Sequence, residues 1–176
     1  MNEQPIINRV ANSPIKTIDL EELYTPGVRV AIDLKEQLVQ GLILREKDFR
    51  EFIRVHDWSQ YRDTLVAVHC STEAIIPTWA YMLMAAALQP YAAFVFAGTL
   101  GEMESALFSR KIQSANWSAY RDAKVVLKGC GKIPVPASAY LEATARLRPL
   151  ASSIMFGEPC STVPVYKAPK SAEKGF

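Results

Sequence analysis

Each of the three cysteines in this chain closes a short segment rich in small or apolar residues. Cys70 lies in Val68-His69-Cys70-Ser71-Thr72, Cys130 in Lys128-Gly129-Cys130-Gly131-Lys132, and Cys160 in Gly157-Glu158-Pro159-Cys160-Ser161. Three thiolates suit zinc or iron, with a fourth ligand drawn from Glu158, His69 or water. Glu158 stands two residues before Cys160 in the same predicted loop. His69 neighbours Cys70 on a predicted strand, so the two side chains face opposite ways. No CxxC or CxH pair is present. The metal reading therefore rests on position at the ends of strands, not on a spacing signature.

Two other readings of the same residues stand beside it. Cys70 and Cys130 precede predicted helices, whose N-termini lower a thiol pKa, and Lys132 lies close to Cys130; this is the pattern of a reactive cysteine. His69 would be its base, because His56 falls on the apolar stripe of a helix and reads as a packing residue. Persulfide carriage would need no base. The third reading is three reduced, buried cysteines acting as small apolar side chains. Gly129-Cys130-Gly131-Lys132 lacks the frame of a nucleotide phosphate loop. Ser71-Thr72 and Ser161-Thr162 offer backbone N–H groups to an anion.

The elements that must position these residues are written twice. Residues 58–98 and 117–157 align without a gap at an offset of 59, with fourteen identities over 41 positions. Trp58-Ser59, Tyr61-Arg62-Asp63, Pro77, Ala80-Tyr81 and Gly98 recur as Trp117-Ser118, Tyr120-Arg121-Asp122, Pro136, Ala139-Tyr140 and Gly157. An internal repeat sets the architecture before any local reading. Each copy reads as a capped turn at its tryptophan, a strand (Leu65–Cys70, Lys124–Lys128), a helix opened by proline (Thr78–Leu88, Ala137–Leu147) and a second strand (Ala92–Ala97, Ser153–Phe156). Leu100–Gln113 is a crossover helix, with Glu102 and Glu104 in its favoured first turn. Arg62-Asp63 and Arg121-Asp122 read as turn caps or ion pairs.

Upstream, Val28–Leu34 alternates like a half-buried strand, with Leu38–Leu44 as its expected antiparallel partner. Glu46–Asp57 has helical periodicity. Met1–Gly27 has little periodicity beyond one helical turn at Leu20–Tyr24. The expected fold is α/β: a mostly parallel sheet from a duplicated βαβ unit (58–98 and 117–157), an N-terminal antiparallel hairpin, and helices on both faces. The expected organisation is one domain over 1–166 with a flexible tail over 167–176. In an open α/β sheet ligands sit outside the carboxyl ends of the strands, the edge predicted for all three cysteines.

A net charge of +2 argues against a nucleic-acid partner or a membrane surface. Met1–Arg9 lacks the basic start and apolar run of a secretory leader. Three widely spaced cysteines do not suggest a disulfide scaffold, which points to a reducing cytoplasm. Ala74–Gly101 carries no charge and is long enough to span a bilayer. Its repeat partner carries Glu142, Arg146 and Arg148, and Pro90 divides it, so a buried helix and strand are expected instead.

The strings Ile7-Asn8-Arg9-Val10-Ala11-Asn12-Ser13, His56-Asp57-Trp58-Ser59-Gln60-Tyr61, Ile75-Ile76-Pro77-Thr78-Trp79-Ala80-Tyr81-Met82 and Met155-Phe156-Gly157-Glu158-Pro159-Cys160 resemble one bacterial family, domain of unknown function 2480. So do Gln40–Arg50 and Val126–Cys130. The resemblance runs to Tyr166. It implies no catalytic residues, and whether the chain is an enzyme stays open. The family's genes often neighbour those of iron–sulfur cluster assembly, which is associational. The resulting expectation is a zinc- or iron-binding accessory or adaptor (an iron–sulfur cluster is the alternative cofactor) with iron–sulfur assembly proteins as partners. The alternatives are a cysteine-dependent enzyme or persulfide carrier using Cys70 or Cys130, and a metal-free homodimeric interaction protein.

Overall fold

The computed structural model describes residues 15–129, 131–158 and 160–169. In chain order the strands and helices are Ile15–Asp19 (β1), Arg29–Asp33 (β2), Glu46–Val55 (α1), Leu65–His69 (β3), Thr78–Leu88 (α2), Phe94–Ala97 (β4), Leu100–Ser114 (α3), Lys124–Lys128 (β5), Ala137–Leu147 (α4), Ser153–Glu158 (β6) and Ser161–Lys167 (β7). They form two compact units. A continuous unit spans residues 25–106, and a discontinuous unit is made from residues 1–24 and 107–176. The mixed α/β class is as expected. The parallel strands are divided between two sheets.

In the continuous unit the sheet order is β2-β3-β4, all parallel. In the discontinuous unit it is β1-β5-β6-β7, parallel except for the last pair. Each repeat copy thus takes its third parallel strand from the segment before residue 34. The antiparallel pairing expected near the N-terminus is present as a single bridge, Val39 to Ile43. Arg29–Asp33 pairs in parallel with Leu65–His69 instead. The N-terminal strand β1 carries too little alternation to announce itself. The expected turn at Leu20–Tyr24 is a 3-10 turn over Leu20–Leu23.

In each unit two helices pack against the same face of the sheet. Val66 and Val68 of β3 share a cluster with Phe49 of α1 and with Ala80, Met84 and Leu88 of α2. Val125 and Leu127 of β5 share one with Phe108 and Ile112 of α3 and with Ala139, Ala143 and Leu147 of α4. The cause is topological. The order β2-β3-β4 advances in one direction, and successive right-handed crossovers in one direction fall on the same face. α2 and α4 bury the same i, i+4, i+8 stripe, as the repeat requires. Truncating a member such as Met84 to Ala costs about 2–5 kcal/mol at a site of this kind.

The repeated tryptophans have one job in both copies. The Trp58 indole donates to the Ile53 carbonyl at 2.8 Å, and the Trp117 indole to the Ile112 carbonyl at 2.7 Å. Asp57 and Asn116 cap the two 3-10 turns by accepting from the Ser59 and Ser118 N–H groups. Asp63 and Asp122 are left-handed, with φ of 59° and 57°, so the Arg-Asp pairs serve as turns.

β7 was not expected, because Pro164 lies within it. It is the edge strand of its sheet, antiparallel to β6, with a register shift beside the proline's partner Met155. An edge position with an irregularity is where a strand tolerates proline. Lys167, the first residue of the expected tail, pairs with Ser153; residues 170–176 lie outside the described residues. Among the described residues no helix is long and apolar enough to cross a membrane.

Candidate functional site

Strand register sets an aspartate opposite a basic residue at the carboxyl end of each set of parallel strands. Asp19, last in β1, lies opposite Lys128, last in β5; Asp33, last in β2, lies opposite His69, last in β3. Both aspartates also cap the 3-10 turn that follows, Asp19 accepting from Glu21 N–H and Asp33 from Lys35 N–H, each at 3.0 Å. A short second repeat encodes this. Ile18-Asp19-Leu20-Glu21-Glu22 recurs as Ile32-Asp33-Leu34-Lys35-Glu36, and both leucines are fully buried.

In the discontinuous unit the Lys128 ammonium lies 3.0 Å from the Asp19 carboxylate and 4.0 Å from Glu158. Burial pushes the Asp19 carboxyl up, but the hydrogen bond from Lys128, the Glu21 N–H and the lysine's charge together hold it below its ordinary value. The Lys128 ammonium is raised in turn, first by its hydrogen bond to Asp19. Beside this pair the Glu21 carboxylate accepts from three successive backbone N–H groups. One oxygen takes Gly131 and the other takes Lys132 at 3.1 Å and Ile133 at 3.4 Å. Consecutive N–H groups that converge in this way form an anion nest, here filled by the protein's own carboxylate.

Around these groups runs a cleft with two lobes. A charged lobe of about 290 Å³ is lined by Asp19, Glu21, Lys128, Lys132 and Glu158. An apolar lobe of about 560 Å³ is lined by Ile133, Pro134, Val135, Tyr140 and Phe156, and the last two rings meet edge to face at 5.6 Å. Gly129, Gly131 and Lys132 belong to both lobes. The glycines have a steric reason. A Cβ on Gly129 would lie 2.6 Å from the Tyr140 hydroxyl, and one on Gly131 would lie 2.5 Å from the Glu21 carboxylate.

The other copy fills those positions, with Cys70 in place of Gly129 and Thr72 in place of Gly131. The Cys70 Sγ lies 3.3 Å from the Thr72 hydroxyl. Tyr81, the counterpart of Tyr140, has its phenol raised by burial and secondarily by the negative charge available to Cys70. Asp33 accepts from the Ser71 N–H at 3.0 Å. Burial pushes the Asp33 carboxyl up, yet the Ser71 and Lys35 hydrogen bonds and the nearby His69 outweigh it and bring it down to about 2. This unit has its own cleft of about 310 Å³, lined without a charge by Val68, Thr78, Tyr81, Met82, Val95 and Phe96.

The cysteine set proposed from sequence divides between the units. Cys70 is half-buried and, with His69, belongs to the continuous unit. Glu158 ends β6, and Cys160 is exposed in the turn to β7 of the discontinuous unit. Cys130 lies outside the described residues. Among the described residues no group of three or more His, Cys, Asp or Glu side chains could hold a metal ion. His56 is the packing residue expected, stacked on Tyr61 and bonded to its hydroxyl at 3.1 Å. Sequence reasoning missed Asp19, Glu21, Asp33, Lys128, Tyr140 and Phe156 as site residues. The Ile-Asp-Leu-x-Glu repeat would have found the two aspartates.

Neither a curated protein nor a solved structure matches the chain. A family description, protein of unknown function (DUF2480), matches residues 4–168. The chain therefore belongs to the DUF2480 family.

Proposed function

We propose that this protein is a small-molecule-binding module whose ligand occupies the two-lobed cleft at the carboxyl ends of β1, β5 and β6. One observation carries the reading: a charged lobe and an apolar lobe adjoin at that edge and share Gly129, Gly131 and Lys132. The edge is the one at which open α/β sheets bind ligands, and the volume falls in the range of small-molecule sites. Nuclear magnetic resonance with a panel of small aromatic and aliphatic fragments tests it. Ligands should move the amide signals of Gly129, Gly131 and Lys132. Shifts confined to other parts of the chain, or no shifts across the panel, would overturn the reading.

A second reading, cysteine-dependent chemistry or persulfide carriage at Cys70, draws support from the Thr72 hydroxyl and Tyr81 beside its sulfur. A persulfide adds the mass of one sulfur to the Cys70 peptide, and cyanide should remove it. The zinc- or iron-binding role in iron–sulfur assembly rests on Cys70, Cys130 and Cys160 as a set. Less than about a tenth of an equivalent of either metal in untagged protein would count against it.

A further inference from the structure

Charge bookkeeping in the cleft names a ligand class, and it rests on the cleft being a binding site. Five ionisable groups line the charged lobe. Asp19 and Lys128 neutralise each other at 3.0 Å. Glu21 is held by the three N–H groups of the nest. Two groups of opposite sign remain. Lys132 makes no ion pair among the described residues, and Glu158 touches Lys128 only at 4.0 Å with 60% of its side chain exposed. Lys132 also borders the apolar lobe, where Tyr140 and Phe156 present their rings.

We propose that the cleft binds a zwitterion with an apolar body, an apolar α-amino acid. The Glu158 carboxylate takes the ammonium, the Lys132 ammonium takes the carboxylate, and the side chain enters the lobe of Val135, Tyr140 and Phe156. A ligand with only one charge pairs with one of these groups and leaves the other, of the ligand's own sign, without a partner. The duplicate copy lacks this arrangement. Glu73 stands where Lys132 is, Thr99 where Glu158 is, and Ala97 where Phe156 is, so one ligand binds per chain.

Titrating the full chain with L-phenylalanine, 2-phenylethylamine, 3-phenylpropionate and benzyl alcohol separates the possibilities. L-Phenylalanine should move the Gly131 and Lys132 amides at one equivalent. Each singly charged analogue should bind about tenfold more weakly, the scale of one charge-assisted hydrogen bond. Lys132→Ala should erase the preference for phenylalanine over the amine, and Glu158→Gln its preference over the acid. Both positions are exposed, so the variants should fold. If either analogue binds as tightly as phenylalanine, or if neither variant changes the preference, the zwitterion is wrong. If benzyl alcohol alone moves the Tyr140 and Phe156 signals, the cleft stands and the ligand class falls. If no probe moves them, the cleft falls as well.

Discussion

The Asp19 carboxylate and the Lys128 ammonium meet at 3.0 Å across the ends of two strands separated by more than a hundred residues in the chain. Asp33 holds the equivalent register position opposite His69 in the other sheet. Each aspartate closes its strand, caps the next turn and faces a base, so the duplication extends beyond the visible repeat.

Asp33 carries a pH signature. Its carboxyl is lowered from the ordinary 3.8 to about 2 in the folded chain. A depressed folded value means that stability is whole above the unfolded value and is lost as pH falls through the folded one. The advantage of wild type over Asp33→Asn should therefore be constant from about pH 7 to 5 and shrink between about pH 4 and 2. Urea midpoints across that series measure it; an advantage that persists undiminished at pH 2 would refute the assignment.

Gly131→Ala should destabilise the discontinuous unit by about 1–2 kcal/mol, because the new Cβ drives Glu21 from its three N–H partners. Adding Glu21→Ala removes the clash, so the two losses should not add. Denaturant melts of both single variants and the double variant give the coupling. Strict additivity would mean that the glycine is required for some other reason.

Trp58→Phe and Trp117→Phe should each cost about 1–3 kcal/mol, through a lost hydrogen bond and lost ring area at equivalent places. The carbonyls of Ile53 and Ile112 lose the same donor. A measurable cost in only one copy would break the structural equivalence of the two turns.

Cys160 is exposed, whereas Cys70 is half-buried and bonded to Thr72. With a neutral thiol reagent, the Cys160 peptide should be labelled before the Cys70 peptide, and Thr72→Val should change the rate only at Cys70. Peptide mass spectrometry follows both. Faster labelling of Cys70 would reveal an activated thiol and favour sulfur chemistry there.

Much of the architecture was legible because local signals repeat. Pro77 and Pro136 before helices, Gln89-Pro90 after one, and apolar runs at Leu65–Val68 and Val125–Leu127 carry their meaning within a few residues. The same signals placed α2, α4 and the cores of β3 and β5 in agreement with the structure. β7 escaped because proline argues against a strand until its edge position is known. β1 escaped because five residues hold too few turns of the pattern.

By itself, the order of residues determined the duplicated α/β plan, the helices and strands of each copy, and the family to which the chain belongs, since all of these follow from short-range periodicity and identity. Only tertiary structure decided which strands pair. Pairing brought Asp19 to Lys128 and gave each copy a separate sheet, with Cys70 in one unit and Cys160 in the other. The physical reason is that hydrogen-bond register between distant strands is selected by the burial of whole faces at once. A cleft such as that of Gly129, Tyr140 and Phe156 exists only after that selection is complete.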